Sequence, residues 1–196
     1  MEPKISVITV NLNNPDGLEK TIGSIISQTF QNYEIIVIDG GSTQASIDII
    51  MKYKKAIKYW VSEKDTGIYH AMNKGILKAV GEYCFFLNSG DFLANEHVLK
   101  TIFDQNPNED ILFGNLFVTL KGKIVGRVHG KKTISFADIY ANAIKHQASF
   151  IKRDVFEKFG LYNQKRKIIA DWEFIIKTLG FGNITYRYVD VFITYF

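Results

Sequence analysis

Cysteine is almost absent from this sequence of 196 residues, in which Cys84 is the only one. No disulfide can form within the chain, and the usual cysteine-based structural zinc sites are excluded. Long hydrophobic runs are absent too, because stretches such as Ile35–Ile38 and Tyr83–Leu87 fall far short of the roughly 20 residues that cross a bilayer. The segment Met1–Lys4 lacks the apolar stretch and cleavage site of a secretory signal, so we expect a cytoplasmic protein.

The composition is typical of a globular protein, and the charge favours negatively charged ligands. Hydrophobic residues make up 46% and charged residues 22% of the sequence, which excludes disorder as the dominant state. With 24 basic and 20 acidic side chains, the net charge is +4, which favours anionic ligands or an anionic membrane face. The basic residues are scattered without a nucleic-acid-binding motif, so we expect no nucleic acid partner.

The first half of the sequence alternates short apolar runs with segments of helical period, which predicts β-α-β units around a mostly parallel central sheet flanked by helices. Asp16 is expected to cap the first helix, and Gly81 to follow the end of the third. The predicted strands are Ile5–Val10, Glu34–Ile38, Tyr59–Val61 and Tyr83–Leu87, and the second and third helices are Ser46–Lys55 and Ile68–Val80.

The second half is predicted to add a smaller mixed β region, so that residues 1–196 form a single α/β domain. Lys121-Gly122-Lys123 is a hairpin signal between two of the strands. The predicted strands are Ile111–Phe113, Leu116–Leu120, Ile124–Val128, Ala148–Lys152, Ile184–Val189 and Phe192–Phe196, and the predicted helices are Ser135–Ala143, Asp154–Phe159 and Ala170–Leu179. Because the chain stops within an apolar strand pattern, we expect the natural sequence to continue beyond Phe196.

Polar residues follow the predicted strands at the edge where open α/β sheets bind ligands. The residues concerned are Asn11 and Asn13 after the first strand, Asp39 after the second, Glu63 and Asp65 after the third, and Asn88 and Asp91 of the segment Asn88-Ser89-Gly90-Asp91 after the fourth. The first strand is followed by neither GxGxxG nor GxxxxGK[ST], which argues against dinucleotide-binding dehydrogenases and P-loop enzymes. A nucleotide diphosphate then needs another source of positive charge, such as a carboxylate-held Mn²⁺ or Mg²⁺. Asp91 is positioned to hold that cation.

Several motifs together resemble the family 2 glycosyltransferases of the GT-A fold, a Rossmann-like nucleotide-binding fold. The resemblance rests on Ile5–Asn13, Ser24–Phe30, Glu34–Thr43, Asp65–Gly75 and Gly81-Glu82-Tyr83, and it runs from about Ile5 to the C-terminus. It implies an inverting enzyme that transfers a sugar from a nucleotide diphosphate, commonly UDP, to a hydroxyl of a saccharide or lipid-linked acceptor. No covalent intermediate with the protein is implied.

The resemblance also implies roles for particular residues. Residues 1–95 correspond to the nucleotide-sugar-binding half and residues 96–196 to the acceptor side. Asp171 matches the family's catalytic base, and Asp91 its metal ligand. His146 and Gln147 occupy a position where the family often carries a pair that faces the donor phosphates or the acceptor. The residues that the resemblance places at the nucleotide sugar are Val10, Asn11, Asn13, Asp39, Asp65, Asn73, Asn88, Ser89 and Gly90.

The metal motif departs from the family pattern and leaves an alternative function open. The DxD-type motif of the family is here Asn88-Ser89-Gly90-Asp91, which we interpret as a variant metal site. The alternative is a catalytically inactive sugar-nucleotide-binding or scaffold domain in a polysaccharide assembly complex. A nucleotidyltransferase would begin with a glycine-rich basic loop, which this sequence lacks. The basic charge, together with the lipid-linked acceptors of many relatives, favours peripheral association with the inner face of the membrane.

Some of these acidic residues also have a purely structural interpretation. Asp39 and Asp65 stand beside Gly40 and Gly67, and aspartate commonly binds its local backbone in turns. Asp171 falls in the first turn of a predicted helix, where the helix dipole favours a carboxylate. The turn interpretation would prevail for Asp39 and Asp65 without the family resemblance.

Overall fold

The computed structural model describes residues 2–141 and 144–196, which form a nine-stranded sheet with helices on both faces. The strands are β1 (Ile5–Asn11), β2 (Tyr33–Asp39), β3 (Tyr59–Ser62), β4 (Tyr83–Phe86), β5 (Phe92–Leu93), β6 (Ile111–Leu120), β7 (Lys123–Val128), β8 (Ser149–Lys152) and β9 (Tyr186–Tyr195). The α-helices are α1 (Pro15–Ile26), α2 (Gln44–Lys52), α3 (Ile68–Lys78), α4 (Val98–Phe103), α5 (Phe136–Tyr140), α6 (Arg153–Phe159) and α7 (Ala170–Ile175). A 3₁₀ turn, His146–Ala148, precedes β8, and a π-helical turn, Ile176–Gly180, follows α7. Within the described ranges, no helix is long and apolar enough to cross a bilayer.

The strand order is β3-β2-β1-β4-β8-β6-β9-β5, and β7 also pairs with β6. β3, β2, β1 and β4 run parallel, so their C-terminal ends lie at one edge of the sheet. β8 runs antiparallel to both β4 and β6, whereas β9 runs parallel to β6. The predicted α/β fold, with a parallel first half and a mixed β region in the second, is thus confirmed.

The sheet separates two hydrophobic layers, because successive residues of a strand point to opposite faces. One layer packs α1, α2 and α4 against side chains such as Val7 and Phe85. The other packs α3, α6 and α7 against side chains such as Ile8 and Phe86. Cys84 is fully buried in this second layer, where burial raises the pKa of the thiol to about 12. Cys84 is therefore a hydrophobic core residue rather than a reactive thiol.

Helix ends differ from the prediction for local reasons. The cap of α1 is Asn14, whose side chain accepts a hydrogen bond from the Gly17 N–H at 3.1 Å, so the predicted cap at Asp16 is wrong. Asp16 lies one step inside the helix, in its first turn. The helix predicted over Ser135–Ala143 is observed over Phe136–Tyr140, and the predicted end at Ala143 falls outside the described residues.

Two pairs of predicted strands are single strands in the structure. β6 runs straight through Gly114, where its pairing register with β9 shifts between Phe113 and Asn115. A Cβ atom at Gly114 would lie 2.7 Å from the carbonyl oxygen of Val191, so the glycine permits a close strand approach instead of a turn. β9 likewise joins the last two predicted strands. The sequence pattern also misses β5 and α4, which are too short to show a clear periodicity.

α3 packs against β1 without room for a side chain at Gly75, since an added Cβ would lie 2.3 Å from Ile8 Cγ2. Gly75→Ala is therefore expected to lower the free energy of unfolding by about 1–3 kcal/mol, because the helix or Ile8 must move. Gly23→Ala on α1 is the matched control, since its Cβ would meet no described atom within 4 Å. The control should raise stability by about 0.5–1 kcal/mol. Urea unfolding measures both, and a Gly75→Ala variant as stable as wild type would contradict this packing.

Candidate active site at the strand ends

A cavity of about 360 Å³ opens where β1 and β4 end and α3 begins. Its position is the ligand-binding edge expected for parallel strands. The predicted nucleotide contacts that line it are Val10, Asn11, Asp65, Asn88 and Ser89. Leu12 and Ile68 line it as well, and both are exposed, so they offer apolar walls that no sequence motif predicts.

Asp39, at the end of β2, has no exposed surface. Its carboxylate accepts hydrogen bonds from Asn11 Nδ2 at 2.7 Å, Ser62 Oγ at 2.6 Å, Ser42 N at 2.8 Å and Gly41 N at 3.2 Å. Burial opposes ionisation, but the hydrogen bonds from Ser42 and Ser62 lower the pKa of Asp39 below its ordinary value. The structure gives Asp39 the contacts of a turn-building residue and does not place it in the lining of the cavity.

Asp39→Ala is expected to lower the free energy of unfolding by about 1–3 kcal/mol, because buried donors at Asn11 and Ser42 would lose their acceptor. Asp48→Ala, at an exposed carboxylate on α2, is the control and should change stability by less than about 0.5 kcal/mol. Thermal unfolding and UDP titration of the folded variant measure the two effects. A tenfold loss of UDP affinity without loss of stability would contradict the turn role and support the direct contact implied by the family resemblance.

Asp65 lines the cavity and is paired with Lys74, which belongs to the Asp65–Gly75 motif but has no predicted role. Lys74 Nζ lies 2.6 Å from Asp65 Oδ1 and 2.8 Å from Glu63 Oε1, so one cation of α3 holds both carboxylates of the loop after β3. Asp65 Oδ2 is buried and has no hydrogen-bond partner within the described part of the chain. This oxygen is therefore available to a ligand in the cavity.

Asn13 and Asn73 hold loops and do not line the cavity. Asn13 has a left-handed backbone with φ of 50°, and its Oδ1 accepts a hydrogen bond from Thr43 N at 3.0 Å. Asn73 lies on the buried face of α3, where Nδ2 donates to Tyr162 O at 2.8 Å and Oδ1 accepts from Tyr162 N at 3.0 Å. The amide of Asn73 is thus committed to the backbone of Tyr162, which explains why the structure does not bring it to the cavity.

The loop of residues 88–91 after β4 is held to α1 by Thr21, which the sequence analysis does not single out. Thr21 Oγ1 donates to Asp91 O at 2.7 Å and accepts from Gly90 N at 3.0 Å. Gly90 has a φ of 110°, a conformation that residues with a side chain rarely adopt. The backbone conformation at position 90 therefore explains why this sequence has glycine there, where a DxD-type motif could have a residue with a side chain.

The same loop carries groups that suit a divalent cation. Burial raises the pKa of Asp91 to about 7, and His146 opposes that rise only in part. Asn88 Oδ1 is buried with no hydrogen-bond partner among the described residues. Carboxylate and amide oxygens are ligands that Mg²⁺ and Mn²⁺ accept. Across residues 2–141 and 144–196, no group of three or more His, Cys, Asp or Glu side chains is arranged to hold a metal.

A second cavity, of about 250 Å³, lies beside β6, the 3₁₀ turn and α7. It brings together three residues that the sequence singles out, because His146, Gln147 and Asp171 all line it. Gln147 is nearly buried, and its backbone carbonyl oxygen accepts a hydrogen bond from Thr194 Oγ1 at 2.9 Å. The three residues that the family resemblance places at the acceptor or the donor phosphates therefore line one cavity.

Asp171 is held by two side chains from distant parts of the sequence. Tyr69 Oη donates to Oδ1 at 2.6 Å, and His146 Nδ1 lies 2.7 Å from Oδ2. Burial alone would raise the pKa of Asp171, but the hydrogen bonds from His146 and Tyr69 lower it to about 2. Asp171 is therefore ionised at neutral pH. Tyr69 lies within the Asp65–Gly75 motif but has no predicted role, and it belongs to the first turn of the helix whose start also lines the strand-end cavity.

The backbone around Asp171 is also fixed. Ile169, at the N-cap position of α7, has a left-handed φ of 76°, which is unusual for a β-branched residue. Trp172 Nε1 donates to the carbonyl oxygens of Ile139 and Tyr140, at 3.1 Å each. The indole N–H of Trp172 thus binds two carbonyl oxygens of α5, and this contact fixes the first turn of α7, which also contains Asp171.

The parallel strands and the cavity at their ends are those of a nucleotide-binding α/β protein. The sequence matches the family model described as Glycosyl transferase family 2 over residues 6–167. This match covers most of the chain, and the chain belongs to that family. The expected GT-A fold class is confirmed with it.

Relatives and solved structures agree with this assignment. The chain is 35% identical over 182 residues to an uncharacterized glycosyltransferase of Mycobacterium tuberculosis, covering 89% of this chain and 68% of that protein. It is 32% identical over 157 residues to the Staphylococcus aureus poly(ribitol-phosphate) beta-N-acetylglucosaminyltransferase TarP, covering 76% of this chain and 48% of TarP. The fold is similar to that of S. aureus TarS 1–349 in complex with UDP-GlcNAc, with a TM-score of 0.79 and 20% identity. That match covers 98% of this chain and 60% of the TarS chain, so both Staphylococcus proteins are considerably longer.

Proposed function

We propose that the chain transfers a sugar from a UDP-linked donor to a hydroxyl group of a saccharide or lipid-linked acceptor, with inversion at the anomeric carbon. The observation that carries the proposal is the side chain of Asp171 in the second cavity, held by Tyr69 of the helix that borders the first cavity. In this proposal residues 1–95 bind the donor and residues 96–196 face the acceptor. The TarP relative, named as an N-acetylglucosaminyltransferase, supports a hexosyl donor.

The strand-end cavity supplies the contacts that a nucleotide needs. Leu12 and Ile68 offer apolar surfaces for the flat faces of the base, and Asp65 Oδ2 can accept a hydrogen bond from the base or the ribose. Asp39 contributes by holding the loop after β2 in shape. Asp91 and Asn88 would hold a divalent cation, Mn²⁺ or Mg²⁺, which supplies positive charge for the departing diphosphate.

Asp171 acts as the general base of the transfer. An ionised carboxylate has about four lone-pair sites, and Tyr69 and His146 use two of them, which leaves room for the acceptor hydroxyl. The acceptor oxygen forms a bond to the anomeric carbon as its proton passes to Asp171. The bond between that carbon and the diphosphate oxygen breaks, and its electron pair leaves with UDP. A single displacement of this kind inverts the anomeric centre without a covalent sugar-enzyme intermediate.

Release of UDP from a panel of UDP-sugars in the presence of Mn²⁺ tests the proposal. We expect turnover with at least one UDP-sugar, and a larger rise of the unfolding temperature with that sugar than with GDP-mannose at the same concentration. Stabilisation by a UDP-sugar with no UDP release on any acceptor would support the inactive binding domain instead. Absence of stabilisation by every nucleotide sugar would contradict both functions.

We further propose that the chain works in the cytoplasm at the inner face of the membrane, as a peripheral protein. The net charge of +4 supports attraction to anionic lipid. Sedimentation with phosphatidylserine vesicles should show binding at low salt that is lost at about 0.5 M salt, because added ions screen the attraction. Phosphatidylcholine vesicles are the control. Failure to sediment with anionic vesicles at low salt would remove the membrane proposal.

A further inference from the structure

His146 has one ring nitrogen in use and one without a partner. Nδ1 lies 2.7 Å from Asp171 Oδ2, and in the neutral ring the hydrogen of this bond sits on Nδ1, so that Nε2 keeps a lone pair. Nε2 is buried and makes no hydrogen bond to any described residue. A buried polar atom with no partner is costly for a fold, so an unpaired Nε2 indicates a ligand that binds there.

The same side chain lies close to the loop of residues 88–91. β8 runs antiparallel to β4, so the residues just before β8, which include His146, lie beside those that follow β4, which include Asp91. A partly buried carboxylate and an unused imidazole nitrogen thus belong to neighbouring segments, one after β4 and one before β8.

We propose that His146 Nε2 is a ligand of the divalent cation held by Asp91, an inference that rests on the metal-assisted transfer proposed above. A histidine that binds a metal typically donates its other ring N–H to a carboxylate, which fixes the tautomer and the direction of the ring. Asp171 is that carboxylate for His146, and Tyr69 holds Asp171 in turn. Asp171 therefore orients a metal ligand in addition to its role toward the acceptor.

The nitrogen ligand accounts for a metal motif with a single carboxylate. The turn at Gly90 leaves no side chain there, and Asn88 offers only a neutral oxygen, so the loop alone is a weak site. His146 would add a ligand from a distant segment without adding a second negative charge beside the diphosphate. Imidazole suits transition metals, whereas Mg²⁺ prefers oxygen ligands, so the site should favour Mn²⁺ over Mg²⁺.

Pulsed electron paramagnetic resonance of the chain with Mn²⁺ alone tests the inference without substrate or turnover. Wild type should show coupling of Mn²⁺ to a directly bound imidazole ¹⁴N. His146→Asn keeps an amide N–H near the place of Nδ1 and has no atom at the place of Nε2. We expect it to lose the coupling and to bind Mn²⁺ at least about tenfold more weakly. In His146→Gln the amide oxygen can reach the place of Nε2, so the coupling should vanish with a smaller loss of affinity.

His97→Gln is the control, because His97 is an exposed histidine and should leave both the coupling and the affinity unchanged. A ¹⁴N coupling that persists in His146→Asn, or an unchanged Mn²⁺ affinity, would overturn the inference. If Asp91→Ala loses Mn²⁺ and His146→Asn does not, the metal-assisted transfer stands and the histidine ligand alone is wrong. A wild-type chain that binds no Mn²⁺ would overturn both. Circular dichroism checks folding, and if His146→Asn fails to fold, the coupling in His146→Gln decides.

Discussion

Asp171→Asn is expected to lower kcat by about 10²–10⁴-fold, the range over which a general base contributes to a reaction. The amide has the shape of the carboxylate but cannot take the proton of the acceptor hydroxyl. Affinity for the UDP-sugar should change much less than kcat, because proton transfer is needed only in the transition state. Initial rates of UDP release, measured over a range of donor concentrations with the acceptor saturating, separate the two quantities.

Glu173→Gln is the matched control for Asp171, since it makes the same change two residues further along α7. Glu173 lies on another side of the helix, where Arg166 Nε is 3.2 Å from its Oε2 and Asn163 Nδ2 is 3.4 Å away. The control should therefore keep nearly full turnover. Full turnover by Asp171→Asn together with a large loss in Glu173→Gln would move the base to Glu173.

Asp91→Ala is expected to abolish the dependence of UDP affinity on Mn²⁺. A diphosphate and a partly buried carboxylate repel each other until a cation lies between them, so wild type should bind UDP at least about tenfold more tightly with Mn²⁺ than with EDTA. The variant should show one affinity under both conditions, weaker than that of wild type with Mn²⁺. Calorimetric titration of UDP into each protein, with Mn²⁺ or with EDTA, measures the four constants.

Asp104→Ala, at an exposed carboxylate that is paired with Lys100, controls for the loss of one negative charge from the surface. It should retain the wild-type response to Mn²⁺. Equal UDP affinity of wild type in Mn²⁺ and in EDTA would refute the metal site at Asp91. Lysine or arginine side chains would then have to neutralise the diphosphate.

The elements that could be predicted are those whose pattern is complete within one segment. β1 and β2 are mostly apolar, β4 is wholly apolar, and polar residues lie at or just after the end of each strand. This pattern alone places their ends at the ligand-binding edge. Gly114 shows where prediction from the sequence fails. A glycine between two apolar runs is compatible both with a turn and with one strand whose pairing register shifts. The partner strand β9 decides between them, and that pairing is not visible locally.

The candidate site likewise has a part that could be predicted from one segment and a part that could not. The strand-end residues Val10, Asn88 and Ser89, for which nucleotide contacts are predicted, line the strand-end cavity. The contacts around Asp171 join residues far apart in the chain, since Tyr69 is 102 positions and His146 25 positions away. Composition and spacing carry no signal for such pairs. The sequence also does not show where a side chain points. The carboxylate of Asp39, for example, binds the backbone of the loop that follows it.

The left-handed backbone of Ile169 lowers the stability of the fold next to the proposed catalytic base. A left-handed backbone costs about 1–2 kcal/mol in a residue with a side chain and almost nothing in glycine. The chain carries this strain two residues before Asp171, where the path of the backbone sets the position of the carboxylate. A laboratory selection for heat resistance alone should therefore favour Ile169→Gly. The variant would unfold at a higher temperature, but its Asp171 carboxylate would be held less firmly. The higher stability would therefore come with slower sugar transfer.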